Sequence, residues 1–163
     1  MAIRLSWGYL VGGGAALAVL GLAVVYAGLL AEPPGIDRAD ASNVELVALG
    51  EGLYRSECAA CHGARLDGQA NWRSRLPDGS LPAPPHDETG HTWHHPDALL
   101  FDVTKFGGAK NAPPGFVSRM PAFGEKLKDR EIWAVLSYIK SAWPDHVRQR
   151  QAMIDERVRA QGK

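Results

Sequence analysis

The sequence predicts an all-α fold: three main helices and long polar loops, preceded by an N-terminal transmembrane helix. Three observations carry that expectation. Residues 5–31 hold no charged side chain, three separate segments repeat apolar residues at helical spacing, and the glycines and prolines beyond the N-terminus cluster between Gly63 and Pro121. The sequence lacks strands alternating with helices.

The uncharged stretch from Leu5 to Ala31 would reach roughly 40 Å as a helix, enough for a hydrocarbon core of roughly 30 Å. A cleaved signal peptide is the competing reading, but its apolar region is normally only about 7 to 15 residues long, so length favours an anchor. Val25 and Ala27 still offer a small-residue cleavage pattern. Arg4 is the only charged side chain before the run, which leaves the N-terminus in the cytoplasm and sends the remainder across. The expected organisation is an anchor at 1–31, a Pro- and charge-rich linker at 32–42, a helical domain at 43–144 and a charged extension at 145–163.

Asn43 can cap the first helix with its side-chain oxygen, and Val44, Val47, Gly50 and Tyr54 recur three or four apart within it. That helix delivers Cys58 at its end. Pro96 and Asp97 read as the first turn of a second helix, with Leu99, Leu100 and Val103 on its apolar side and Gly107-Gly108 as its stop. A third follows Asp129: Ile132, Val135, Leu136 and Ile139 form its stripe, Trp133 and Tyr138 add aromatic bulk, and Pro144 ends the run. In the extension, Val147, Ile154 and Val158 make a thin stripe suited to an exposed helix.

Lys plus Arg and Asp plus Glu number 18 each, so no charge excess points to nucleic acid. The only two cysteines stand in Cys58-Ala59-Ala60-Cys61-His62. This is the spacing for covalent haem attachment: two thiols reach the two vinyl groups, and the next residue offers an imidazole to iron. Chance placement gives the pattern about 1 time in 2,000. A dithiol enzyme or half of a zinc site would share the Cys-x-x-Cys spacing, but the first expects alternating strands and the second two further ligands. A sixth iron ligand can come from Met120, because Met153 lies in the charged tail and Pro121 restricts Met120 to extended backbone. Core filling is the alternative role for that side chain.

With CAACHG at the attachment site, SRMPAFG at the ligand loop and EIWAVLSYIKSAWP in the last helix, residues 43–144 resemble the class I cytochromes c. The resemblance implies that fold, with three main helices and loops around one haem. It also implies a single covalent haem c, His62 as proximal ligand, Met120 as distal ligand and one-electron transfer without catalysis. Gly50 and Tyr54 stand where the family's first helix crosses its last, and Val135 and Tyr138 are their counterparts. The segment PAPPHD...GHTWHH is similar to that of bacterial membrane-tethered monohaem cytochromes, with the haem domain in the periplasm at the inner membrane. Such a carrier takes electrons from a partner such as a quinol-cytochrome c reductase and passes them to a terminal oxidase. A structural haem subunit of a larger membrane complex is one alternative, and a sensor or peroxidase that displaces Met120 is another.

That segment places His86, His91, His94 and His95 within ten positions, which raises a second metal as one reading. Bonding of these residues and Trp93 to loop backbone and haem propionates is the other. Arg73 and Arg75 are placed to offset propionate charge, or else to sit in a solvated loop.

Overall fold

A computed structural model describes residues 36–110 and 112–162. The anchor expected at 1–31 and the first part of the linker lie outside the described residues. Among the described residues no helix is long and apolar enough to cross a membrane, and there is no strand.

Helix α1, Val44–Glu57, begins where the Asn43 side chain accepts the Leu46 N–H at 3.0 Å. Its buried line is Leu46, Gly50 and Tyr54, four apart, so that of the expected stripe Gly50 and Tyr54 are buried, Val47 is only half-buried and Leu46 takes the inward position instead. Val44 is 80% exposed because it occupies the first turn, outside the register of that line. A single turn, α2 (Ala59–His62), follows Cys58. The chain then runs without regular structure to a short 3-10 turn, Thr92–His94.

Helix α3, Asp97–Phe106, stops at Gly107 as expected. Its most buried side chains are Asp97 and Thr104, whereas Leu99, Leu100 and Val103 are half-buried. Helix α4, Asp129–Ser141, starts with the Glu131 carboxylate accepting the Lys128 N–H at 2.8 Å. It buries Ile132, Val135, Leu136 and Ile139 together with Trp133, Ala134 and Ser137. Burial on so many sides follows from its neighbours: α1 crosses it, α3 packs beside it, and the Asp40 N–H donates to Ser137 Oγ at 2.8 Å. The end of the linker, with Ala39 buried, is therefore part of the fold.

The crossing of α1 and α4 admits no side chain at Gly50, where a Cβ would lie 1.9 Å from the Ala134 carbonyl oxygen. Tyr54 then packs on Tyr138, ring centroids 5.4 Å apart. The charged extension forms a fifth helix, α5 (Asp145–Gln161), which packs against the 3-10 turn. It is more than an exposed helix, because Val147 joins the core and Gln151 is fully buried. Val158 keeps the exposure the thin stripe predicts, whereas Ile154 is half-buried.

Candidate haem site

Helix α1 carries the chain into the Cys-x-x-Cys-His turn without a break. The Cys58 N–H donates to Tyr54 O, and Cys61 and His62 both donate back to Cys58 O, at 3.1 and 2.9 Å. Neither cysteine is in a disulfide; Cys58 is half-buried and Cys61 exposed. Burial, then the Glu57 carboxylate and Cys61, push the Cys58 thiol up to about 11. A redox dithiol needs a stabilised thiolate, so this environment argues against the dithiol reading.

His62 is 8% exposed, and its Nδ1 lies 2.8 Å from the Pro84 carbonyl oxygen. A carbonyl can only accept, so Nδ1 carries the proton and Nε2 keeps its lone pair. Burial also lowers the proton affinity of this imidazole, partly opposed by the Pro84 bond. A neutral imidazole whose far nitrogen is tied to backbone is the form that binds iron. The residues present thus fit a covalent haem. Tyr54 Oη reaches the His62 and Gly63 carbonyls at 3.3 and 3.2 Å, which links the helix crossing to the attachment turn.

Met120 is half-buried and packs against the same core cluster that Cys58 and Ala59 touch. Its N–H donates to Ser118 Oγ at 3.1 Å, and its carbonyl accepts from the Gly108 N–H at 3.2 Å. Met153 is 59% exposed on α5.

The four loop histidines do not converge. His86 stacks on His62 with centroids 3.9 Å apart, His94 stacks on Trp93, and His91 meets His95 edge-on at 5.5 Å. Among the described residues no three His, Cys, Asp or Glu side chains form a metal-binding group. His86 Nδ1 is shut off from solvent and has no hydrogen-bond partner among the described residues. Trp93 Nε1 donates to Glu88 O, as the backbone-bonding reading expects. The Arg150 guanidinium covers its ring. Arg73 lies over Trp72, its guanidinium carbon 4.0 Å from the ring centroid, and Arg75 donates to Gly79 O at 2.5 Å.

Sequence reasoning did not find Pro84, whose carbonyl holds His62 Nδ1. The proline-rich run at 82–85 was the one available signal, and it does not say which carbonyl turns inward.

A family model described as Cytochrome C oxidase, cbb3-type, subunit III matches residues 45–139. The chain belongs to that family. It is thus a c-type cytochrome with covalently bound haem c, and its chemistry is electron transfer. The match spans α1 to α4 and includes Cys58, Cys61, His62 and Met120. The chain is also similar to the gluconate 2-dehydrogenase cytochrome c subunit of Pantoea cypripedii, with 33% identity over 97 residues, 58% of this chain and 20% of that relative. The cytochrome thus spans about a fifth of that relative's length.

Proposed function

We propose that this cytochrome is a one-electron carrier in which Cys58 and Cys61 hold the haem through thioethers while His62 and Met120 are the axial ligands. The observation that carries the reading is the 2.8 Å contact of His62 Nδ1 with Pro84 O. It fixes the imidazole plane and its tautomer, and leaves only Nε2 for iron. The haem supplies reversible one-electron chemistry, with a potential raised by Met ligation. With the haem bound, the half-buried Met120 thioether would be the second protein ligand and would keep exogenous ligands from the iron. Arg73 and Arg75 add positive charge that offsets the propionates, and Trp93, whose N–H is engaged by Glu88, braces the adjoining loop.

Residues 1–31 serve in this reading as an anchor in a bacterial inner membrane, with the haem domain in the periplasm. Tethering raises the effective concentration of the carrier near membrane partners such as a quinol-cytochrome c reductase and a terminal oxidase. Between Asn43 and Asp145 there are 11 Lys plus Arg against 13 Asp plus Glu, so proximity supplies encounters that a strong field supplies in highly basic carriers.

In Met120→Ala the site should open, become high-spin and bind carbon monoxide; an unchanged low-spin spectrum would assign the sixth ligand elsewhere. With both Cys58 and Cys61 replaced by Ala, the haem should leave on acid-acetone extraction. The relative from Pantoea cypripedii is a subunit of a dehydrogenase, which favours a second reading: a cytochrome fixed in a larger enzyme complex. Mild-detergent purification separates the two, because a subunit keeps its partners in fixed stoichiometry and a carrier does not.

A further inference from the structure

Met120 stands in a loop, and a loop ligand is only as well placed as the contacts that hold the loop. Two of those contacts are local. Ser118 Oγ and the Gly108 N–H bind the Met120 backbone, and Gly108 approaches so closely that a Cβ there would lie 3.0 Å from Met120 Cβ. Both tie Met120 only to its own loop and to the end of α3.

The third contact crosses 41 residues of sequence. Arg119 aims Nε and Nη2 at one oxygen, Asp78 Oδ2, at 2.9 and 2.5 Å. Asp78 is itself held: its Oδ1 accepts the Ser80 N–H at 3.0 Å and the Ser80 hydroxyl at 2.6 Å, and Ser80 is fully buried. The same turn meets the same loop twice more. Arg75 covers Phe116, its guanidinium carbon 5.9 Å from the ring centroid, and a Cβ on Gly79 would lie 3.8 Å from Val117 Cγ2. Continuing from this turn, the chain reaches Pro84, whose carbonyl holds His62.

We infer that Asp78 and Arg119 are positioning residues for the distal ligand: their pair fixes Met120 against the segment that orients His62, so that one stretch of chain, 78–84, braces both axial ligands. The inference rests on the His62 and Met120 ligation proposed above. An ion pair whose side chains are 63% and 44% exposed adds little to global stability. Its effect is expected in local opening of the Met120 loop, because the pair is the side-chain hydrogen bond that ties this loop to the 78–84 segment.

The test uses the full-length, haem-loaded ferric protein and the rate at which cyanide binds, since cyanide enters only when Met120 leaves the iron. Asp78→Asn and Arg119→Gln should each raise that rate about two- to fivefold. They should also weaken the sulfur-to-iron charge-transfer band on warming and leave the urea midpoint in place. The double variant should add nothing to either single one. Salt should accelerate the native protein by screening the pair and leave the variants unchanged. Met120→Ala, run in parallel, separates the two ideas. If it opens the site while the Asp78 and Arg119 variants keep the native rate, the brace is overturned and the ligation stands. If it changes neither spectrum nor cyanide rate, the ligation fails and the brace falls with it. A urea midpoint that drops in step with the faster rate would likewise overturn the brace in favour of a general role in folding.

Discussion

The α1–α4 crossing and the seam where α5 meets α3 and α4 are both buried, but opposite chemistry holds them. At the crossing, Gly50 lies on the Ala134 backbone, Tyr54 lies on Tyr138, and Leu46, Ile132, Val135 and Ile139 are almost wholly excluded from water. At the seam, Asp97 is 2% exposed and accepts Lys140 Nζ at 2.8 and 2.9 Å. Gln151 Nε2 donates to the same carboxylate at 2.7 Å, and Asp155 accepts the Asp97 N–H at 2.9 Å. Apolar burial is non-directional and stabilises in proportion to area. A buried ion pair costs desolvation and returns it only when every partner is in place. The crossing thus holds the helices together, and the seam fixes where α5 lies.

The largest effect is expected where backbone meets backbone. Gly50→Ala places a methyl group 1.9 Å from a carbonyl oxygen that no rotamer change can move, so the helices must part, at about 4 kcal/mol. Urea unfolding of the haem-loaded protein measures this loss. A loss under about 1 kcal/mol would show that the crossing yields easily and that the seam carries more of the fold.

Lys140→Met comes next. It leaves the Asp97 charge buried with Gln151 alone and should cost about 3 kcal/mol. Combining it with Asp97→Asn should recover most of that loss, because no uncompensated charge remains. If the double variant is as unstable as the single, directional bonding and not charge compensation holds the seam.

The same contrast separates what could be read in advance from what could not. Apolar spacing, the Asn43 cap and the glycine stop after Phe106 state helix positions locally, and the crossing residues Gly50 and Tyr54 follow from the family pattern. The haem-attachment motif was equally legible, because its spacing is itself the chemistry. The seam was not, since Asp97 reads in sequence as an ordinary first-turn acid and Gln151 as one polar residue in a charged helix. Their burial depends on how α3, α4 and α5 come together, which no local pattern encodes. The histidine segment was opaque for the same reason. Four imidazoles within ten positions fail to gather at one point because His86 turns inward to His62 and His94 lies on Trp93, while His91 meets His95.

Acid should act through the histidine segment, which adjoins the seam at His95 and the crossing at His86, whose ring lies 5.8 Å from that of Tyr54. Burial holds His86 well below the usual imidazole value of 6.5 and also lowers His91 and His95. The His95 carbonyl accepts from Gln151 at the end of the seam. The unfolded chain takes up these protons more readily than the folded one. Stability is therefore complete above about pH 6.5 and falls as the pH drops through the depressed folded values. Burial pushes Tyr54 upward instead, so the crossing keeps its neutral hydroxyl throughout. Thermal unfolding between about pH 7.5 and about pH 5 should show this graded loss, and His91→Gln and His95→Gln should each flatten it. An equal slope in both variants would place the acid response at His86 alone.

The smallest effect is expected from the Tyr54 hydroxyl at the crossing. Tyr54 is fully buried, and its hydroxyl reaches the His62 and Gly63 carbonyls only at 3.3 and 3.2 Å. Neither carbonyl depends on it. The Gly68 N–H already donates to His62 O at 2.8 Å, and the Leu66 N–H to Gly63 O at 3.1 Å. Tyr54→Phe therefore strands no buried acceptor and retains the ring that packs on Tyr138. Its cost should be about 0.5 to 1 kcal/mol, at the low end for a lost hydrogen bond. Urea unfolding again measures it, and the haem spectrum should stay unchanged because Pro84 still holds His62. A loss near that of Lys140→Met, or a disturbed spectrum, would mean that the hydroxyl sets the attachment turn. The apolar crossing would then depend on a directional bond as the seam does.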